Sequence, residues 1–207
     1  MDNDIKKLVE DCINSKTVNK KSVVLELGCG NTKRIDDSIG IDILQCPNVD
    51  ICGDVFTVLM NFPPQSVDKI SSSHFIEHID NIDELVVLAG KVLKKDGILE
   101  ITAPHFSNPY YYSDPTHKSF LGLYTFCYFS ETSLFKRKVP NYNIDIQFNL
   151  ERVDLIFKTD RSKLFRSIFK NVIGRFFNLT SYNQELYEDS FCYIFPCYEI
   201  YYKLTRR

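Results

Sequence analysis

Apolar and polar positions in the first half of the chain follow two alternating patterns. Short apolar runs predict buried strands near residues 22–27, 38–43, 49–52, 68–73 and 98–103. Helical spacing of apolar positions predicts helices over residues 3–15 and 80–95, the second capped by Asp80 and followed by Gly97. This alternation predicts an α/β fold in which helices cover both faces of a parallel sheet.

The regular alternation stops after Pro104. Residues 105–140 are rich in aromatic and polar groups, and a connection of this length indicates a functional segment or a lid. Beyond it, residues 143–158 alternate as a half-buried strand does, and residues 161–177 have helical spacing. Residues 193–204 predict a last strand.

Composition indicates one folded domain. The 207 residues are 44% hydrophobic and 14% aromatic, which excludes a disordered chain. The seven cysteines are odd in number and form no Cys-x-x-Cys pair, so we expect a reducing compartment, without disulfides or structural zinc. The sequence has no N-terminal leader pattern and no apolar run near the ~18 residues of a membrane span. We therefore expect a cytoplasmic protein without a transmembrane segment.

Charge is unevenly distributed, although the net charge is only −2. Residues 1–110 carry 11 basic and 17 acidic side chains (net −6), whereas residues 111–207 carry 14 and 10 (net +4). The acidic half offers no surface that would follow phosphates, so nucleic acid is not an expected partner. The basic half either attracts a phosphate-bearing substrate or simply keeps the surface soluble.

Residues 23–31 carry the most informative motif, Val-Val-Leu-Glu-Leu-Gly-Cys-Gly-Asn. The apolar run predicts a buried strand, and Gly28 and Gly30 predict a tight turn where a ligand can approach the backbone. Ligands of open α/β sheets bind at the carboxyl ends of the strands. A nicotinamide dinucleotide fits poorly because Lys33 replaces the third glycine of its fingerprint, and the Gly-Lys-Ser/Thr of a P-loop is absent.

Three motifs in order identify a family resemblance. Glu-Leu-Gly-Cys-Gly-Asn at 26–31 is followed by Gly-Ile-Asp-Ile at 40–43 and Cys-Gly-Asp-Val at 52–55. This order resembles the class I methyltransferases that use S-adenosylmethionine. Residues 68–79 and 91–101 resemble the fourth and fifth strands, with their flanking turns, of the small-molecule (type 11-like) branch.

Two further segments resemble methyltransferases of bacterial surface-polysaccharide gene clusters. They are Asp-Pro-Thr-His-Lys at 114–118 and Ile-Phe-Pro-Cys-Tyr-Glu-Ile at 194–200. The family resemblance as a whole implies a Rossmann-like, seven-stranded, mostly parallel sheet with an antiparallel C-terminal edge strand. It also implies S-adenosyl-L-methionine as cofactor and S-adenosyl-L-homocysteine as product. We expect one domain over 1–207, with the cofactor-binding half at 1–104 and substrate-side insertions at 105–140 and 159–190.

The resemblance also assigns cofactor-binding residues. The glycine turn would bind the amino-acid end and the ribose, Asp42 the ribose hydroxyls and Asp54 the adenine amino group. The full predicted set is Glu26, Gly28, Cys29, Gly30, Asn31, Asp42, Ile43, Asp54, Val55, Ser73 and His74. The alternative is that Asp42 and Asp54 only start turns or cap helices.

All four histidines follow the predicted fourth and fifth strands, on the side where ligands bind. Histidine is a natural general base near neutral pH, so His105 or His117 is the predicted catalytic base, with Asp114 orienting a histidine or binding substrate. Alternatively, Asp114 and His117 only shape the loop, and His78 has a structural role. A metal site formed by His105, Asp114 and His117 is a further option, but no metal is predicted.

The predicted activity is methylation of a sugar or sugar-linked acceptor, on oxygen, in surface-glycan synthesis. An amine or a phosphate-type oxygen on a small or nucleotide-linked precursor is one alternative, and a non-catalytic scaffold of the same fold is another. The helix predicted over 161–177 is basic and amphipathic, with Arg161, Lys163, Arg166, Lys170 and Arg175 around its apolar face. It either packs on its own domain or makes weak contact with an anionic membrane surface.

Overall fold

The computed structural model describes residues 2–18, 21–140, 142, 147–158 and 164–207. Its helices are α1 (Asp2–Val18), α2 (Val55–Asn61), α3 (Ile82–Val92), α4 (Leu164–Phe177) and α5 (Ser181–Leu186). Its strands are β1 (Val24–Leu27), β2 (Ile39–Asp42), β3 (Ile51–Cys52), β4 (Val67–Ser73), β5 (Leu93–Pro104), β6 (Ser130–Glu131), β7 (Phe148–Ile156) and β8 (Glu199–Arg206). Short 3-10 turns follow β4 and β5, and none of the described helices is long and apolar enough to cross a bilayer.

The strands form one sheet in the order β3-β2-β1-β4-β5-β8-β7-β6. Strands β1 to β5 are parallel, and β8 is antiparallel to both of its neighbours, β5 and β7. The predicted α/β fold with a mostly parallel sheet and an antiparallel C-terminal strand is confirmed. The predicted number of strands is wrong, since the described residues form eight. The antiparallel strand is also not at the edge, because β7 and the two-residue β6 lie outside it.

The expectation that helices cover both faces needs correction at the centre of the sheet. The β1–β2 and β2–β3 connections are described throughout and contain no helix. Both are short, whereas a parallel crossover through a helix needs about a dozen residues or more. Side chains on one face of β4, β5 and β8 are accordingly polar and half-buried, as in the aligned row Ser71, Glu100 and Lys203. The residues at the alternate positions of these strands, whose side chains point to the other face, are buried. This face is partly open to water.

Helix α3 is shorter at both ends than the apolar spacing predicts. Asn81, not Asp80, occupies the N-cap position, and the Asp80 carboxylate instead pairs with Lys118 Nζ at 2.7 Å. The helix ends at Val92 because Leu93 is fully buried and pairs with Val67 as the first residue of β5.

The last strand begins later than predicted. The segment before Glu199 forms turns rather than strand, because the amides of Ile194 and Phe195 donate back to the carbonyl of Phe191. The strand predicted over 143–158 is observed at Phe148–Ile156, and the helix predicted over 161–177 at Leu164–Phe177. Residues 143–146 and 161–163 of these predictions lie outside the described residues.

Candidate active site

The glycine turn after β1 opens onto free space. Gly28 and Gly30 both have positive φ, at 65° and 54°. A Cβ on Gly28 would lie 2.6 Å from Phe75 Cβ, whereas a Cβ on Gly30 would meet nothing within 4 Å. Gly28 is therefore required by packing and by its backbone conformation, and Gly30 borders a space that a ligand can occupy.

Asp42, at the end of β2, is held against this turn. Its Oδ2 accepts a hydrogen bond from Gly30 N at 2.9 Å, and its Oδ1 accepts one from Leu44 N at 2.9 Å. A carboxylate oxygen can accept more than one donor, so both oxygens retain capacity for ligand hydroxyls. The adjacent Ile43 side chain is exposed beside it. Asp42 therefore starts a turn through its bond to Leu44 N, which is the non-binding role considered for it in the sequence analysis. Its bond to Gly30 N also fixes the geometry of the glycine turn.

Asp54 caps helix α2. Its Oδ1 accepts from Thr57 N at 3.0 Å and from Thr57 Oγ1 at 3.2 Å. This is the helix-capping role that the sequence analysis gave as the alternative to cofactor binding. The side chain is exposed, so the cap does not prevent its second oxygen from meeting a ligand. Val55, one of the predicted cofactor-binding residues, is instead buried in the hydrophobic core.

Glu26 stabilises the short β1–β2 connection. It is buried, and its carboxylate accepts from Arg34 N at 2.8 Å, Ile35 N at 3.1 Å and Ser38 Oγ at 3.1 Å. These bonds hold the conformation of the loop between β1 and β2.

The other predicted residues of the glycine turn differ in exposure. Burial, followed by the Asp42 charge, raises the pKa of the Cys29 thiol to about 11, so this cysteine remains a thiol. Asn31 is exposed, and its carbonyl accepts from Asn48 Nδ2.

A second group of polar side chains surrounds a cavity of about 250 Å³ beyond the carboxyl ends of β4 and β5. The residues that line it are His74, Glu77, His78, Pro104, Asn108, Tyr110, Tyr111, Asp114, His117 and Tyr198.

His74, which directly follows Ser73 of β4, has a positive φ of 54°. Its Nε2 lies 3.0 Å from Glu199 Oε1, and its Nδ1 lies 3.5 Å from Glu77 Oε1. The hydrogen bond to Glu199, together with the negative charge of the nearby Glu77, raises the pKa of His74 to about 9, so this imidazole is protonated at neutral pH.

The structure brings Asp114 and His117 together, as the sequence predicts. Asp114 Oδ1 accepts from Thr116 N at 2.8 Å and from Thr116 Oγ1 at 2.6 Å, and these bonds lower the pKa of the carboxyl. Its Oδ2 lies 3.7 Å from His117 Nε2. His117 Nδ1 donates to the Tyr111 carbonyl at 2.9 Å, so the neutral ring carries its lone pair on Nε2.

His105 is not brought to this cavity. Its side chain is fully buried, and its Nδ1 accepts from Ser107 N at 3.1 Å while its Nε2 lies 3.2 Å from Glu188 Oε1. Both ring nitrogens therefore serve internal contacts. The metal option that combined His105 with Asp114 and His117 is not assembled either.

The sequence interpretation did not single out Glu77, and it gave His78 a structural role. Glu77 is buried in the 3-10 turn Ile76–His78, and its carboxylate faces the cavity beside both His78 and His117. The available signal was an acid placed directly before a histidine in the turn after β4. That position lies at the ligand-binding edge of a parallel sheet.

Comparisons with known proteins agree with this geometry. Residues 25–101 match the family model described as "Methyltransferase domain" (type 11), and no curated protein sequence is significantly similar to the chain. A solved S-adenosylmethionine-dependent methyltransferase from Archaeoglobus fulgidus is 18% identical, with 95% of this chain and 94% of that chain covered and a TM-score of 0.56. A putative one from Listeria monocytogenes is 16% identical, with 90% of each chain covered and a TM-score of 0.50.

A third similar structure is phosphoethanolamine N-methyltransferase 2 of Haemonchus contortus, in complex with phosphomonomethylethanolamine and S-adenosylhomocysteine. It is 15% identical over 90% of this chain and 48% of that chain, with a TM-score of 0.52. At these identities the three structures establish the fold alone, while the family model matches the segment that carries the glycine turn and the β4 and β5 motifs.

The matched segment and the shared fold support a methyltransferase enzyme with S-adenosylmethionine as its cofactor. The residues fit this cofactor. The open space at Gly30 admits a ligand at the backbone, and Asp42 offers a carboxylate for paired hydroxyls.

Proposed function

We propose that the cofactor binds along the carboxyl edge of β1, β2 and β3. The turn at residues 28–31 would hold its amino-acid end, Asp42 its ribose hydroxyls and Asp54 its adenine amino group, with Ile43 against the ring. Ser73 and His74 would border the methyl-donating end. Glu26 and Val55, which make contacts in the loop and the core, would support this site from behind. When bound, S-adenosylmethionine supplies the methyl group.

Replacing Asp42 tests this assignment. We expect Asp42→Ala to weaken binding of S-adenosylhomocysteine by on the order of 1.5–3 kcal/mol, because charged hydrogen bonds to the ribose are lost. Isothermal calorimetry measures the affinity, and a melting curve checks that the variant folds. Asp37→Ala is the matched control, because Asp37 is an exposed carboxylate in the neighbouring β1–β2 loop, paired with Lys21. Equal affinities of the wild type and Asp42→Ala would remove Asp42 from the site.

We propose that the acceptor is a hydroxyl of a sugar or sugar-linked compound, used in cytoplasmic surface-glycan synthesis. One observation carries this: Asp114 Oδ2 and His117 Nε2, 3.7 Å apart, offer two adjacent hydrogen-bond acceptors on one cavity. Neighbouring hydroxyls of a sugar ring match such a pair. Tyr110, which is exposed and lines the same cavity, supplies an aromatic face for the ring.

The side chains of the protein have two tasks in this reaction: they position the acceptor hydroxyl and they remove its proton. Asp114 stays ionised, since the hydrogen bonds from Thr116 lower its pKa, and its Oδ2 takes the proton of the acceptor hydroxyl as the new oxygen–carbon bond forms. His117, fixed by the Tyr111 carbonyl, holds the acceptor from the other side.

A panel of acceptors tests the substrate class. We expect methyl transfer, detected by mass spectrometry, to nucleotide-linked or lipid-linked sugars. The panel also contains free amines and phospho-bases, because one similar structure is a phosphoethanolamine N-methyltransferase. Transfer to an amine or to a phosphate oxygen alone would replace the sugar assignment with that alternative.

We propose in addition that α4 contacts an anionic membrane surface weakly, which would suit a lipid-linked acceptor. Ile168, Phe169, Val172 and Phe176 of α4 are each more than half exposed and lie on adjacent turns. Leu179 continues this exposed apolar stripe, and within it Phe169 also contacts the ring of Phe195. Basic residues on the same helix, Lys170 and Arg175, can meet anionic headgroups.

Vesicle sedimentation measures this contact. We expect the protein to bind vesicles that contain anionic lipid. Val172→Asp should weaken binding by about tenfold, because it replaces an exposed apolar side chain that would enter the membrane with a charge. Leu8→Asp is the control, since Leu8 is an exposed leucine on α1. Equal binding of the two variants would assign the stripe no role at the membrane.

A further inference from the structure

We propose that Glu77, His78 and His117 form a binding site for a divalent transition-metal cation. One potential ligand atom from each of the three side chains lies within 4.8 Å of the other two. The group borders the cavity assigned to the acceptor. Binding of a cation here does not depend on the proposed function, but the role of the cation in the reaction does.

The Glu77 carboxylate has no hydrogen-bond donor. It is 1% exposed, and neither of its oxygens accepts a hydrogen bond from any described residue. The nearest positive group is His74, whose Nδ1 lies 3.5 Å from Oε1. A buried carboxylate normally accepts several hydrogen bonds or coordinates a metal, because burying its charge is costly otherwise. Protonated His74 compensates the charge at Oε1 only in part, Oε2 has no partner among the described residues, and the carboxylate lies beside the imidazoles of His78 and His117.

Both imidazoles have a fixed orientation that leaves Nε2 available. His117 Nδ1 donates to the Tyr111 carbonyl at 2.9 Å. His78 Nδ1 lies 2.9 Å from Thr116 Oγ1, and that hydroxyl donates to Asp114 Oδ1 at 2.6 Å, so His78 Nδ1 must be the donor. Metal-binding histidines usually carry an outer hydrogen bond of this kind, which fixes the tautomer.

The backbone keeps the two ligand segments together without a cation. The Glu77 carbonyl accepts from Lys118 N at 2.7 Å and from Ser119 N at 3.2 Å. The rings of His78 and His117 are 4.8 Å apart between centroids. The site is thus assembled by the fold, and small side-chain rotations would bring the three atoms to coordination distance.

The donor set selects the class of cation. Two imidazoles and one carboxylate suit Zn²⁺, Co²⁺ or Fe²⁺, whereas Mg²⁺ and Ca²⁺ prefer oxygen ligands alone. Three protein ligands leave a position open for an acceptor oxygen, and a cation there would lower the pKa of the acceptor hydroxyl. The cation would then hold the acceptor oxygen in place of His117 Nε2, and the proton would pass to Asp114 Oδ2, which lies beside His117.

Metal titration tests the site directly. Protein freed of metal by a chelator is titrated with Co²⁺, followed by its visible absorption, and then with Zn²⁺ in competition. We expect one cation per chain, with affinity reduced at least about 10–100-fold in Glu77→Gln, His78→Asn and His117→Ala. Asp80→Asn is the control, because Asp80 is a nearby exposed carboxylate outside the cavity. Melting curves check folding, and Glu77→Gln preserves shape if a histidine variant does not fold.

The proposal is overturned if no stoichiometric cation binds, or if binding is the same in every correctly folded ligand variant. Sulfur-to-metal charge-transfer bands would also overturn it, since they would place the cation at cysteines. The acceptor panel is repeated on metal-free protein, so failure of the cation site and failure of the sugar assignment give different results.

Discussion

We expect Asp114→Asn to lower the turnover number by about 10²–10⁴-fold while affinity for S-adenosylhomocysteine stays unchanged. Asparagine has the same shape, and its oxygen can still accept the bonds from Thr116 that Asp114 Oδ1 accepts. What the variant loses is the negative charge at the Oδ2 position, which is where we propose that the acceptor proton is received. The cofactor residues lie after other strands, so their contacts are not altered.

Steady-state kinetics with the acceptor found in the panel measure this effect, and calorimetry measures cofactor affinity. Asp80→Asn makes the same chemical change at a carboxylate that does not line the cavity, so its turnover number should equal that of the wild type. A near-normal turnover number in Asp114→Asn would assign Asp114 a role in shaping the loop only, and positioning alone would then account for the rate.

The geometry of the proposed cofactor half was predictable because its determinants are local and ordered along the chain. Gly28 and Gly30 end the first strand, and Asp42 ends the second, which lies beside it in the sheet. Parallel neighbours bring their carboxyl ends to one edge, so sequence order alone places Asp42 near the turn. The bond between Asp42 Oδ2 and Gly30 N shows this proximity.

The catalytic half was less predictable because burial there depends on distant segments. His105 follows β5, as expected for a ligand-facing residue, but a glutamate 83 positions later, Glu188, covers its Nε2. Spacing near His105 carries no information about that contact. Asp114 and His117 were paired correctly because they are three residues apart and share one turn.

The sequence of β5 already indicated that helices do not fully cover the sheet, although its apolar residues suggested a strand buried on both faces. Glu100 and Thr102 occupy alternate positions of β5, a pattern typical of a strand with one wetted face rather than one buried on both. Lys69 of β4 pairs with Glu100 at 2.8 Å on that face. The short connection between β1 and β2 explains it, since 11 residues do not hold a strand-to-strand helix.

Alanine substitution of the two glycines of the turn distinguishes the effect of packing from the effect of backbone strain. We expect Gly28→Ala to lower the free energy of unfolding by about 2–4 kcal/mol, because its methyl group would lie 2.6 Å from Phe75 Cβ and the residue would keep a positive φ. Gly30→Ala has a similar φ but open space around its Cβ, so only the strain of about 1 kcal/mol remains.

Urea denaturation measures the free energy of unfolding of both variants. The difference between their losses of stability isolates the contact with Phe75. Phe75 follows β4 and Gly28 follows β1, so this contact joins the cofactor turn to the segment that leads into Glu77 and His78. Gly28→Ala should therefore also weaken binding of S-adenosylhomocysteine, because the turn can relieve the clash only by moving. Equal losses of stability in the two variants would show that Phe75 yields to the added methyl group, and that the turn is held by Asp42 rather than by packing.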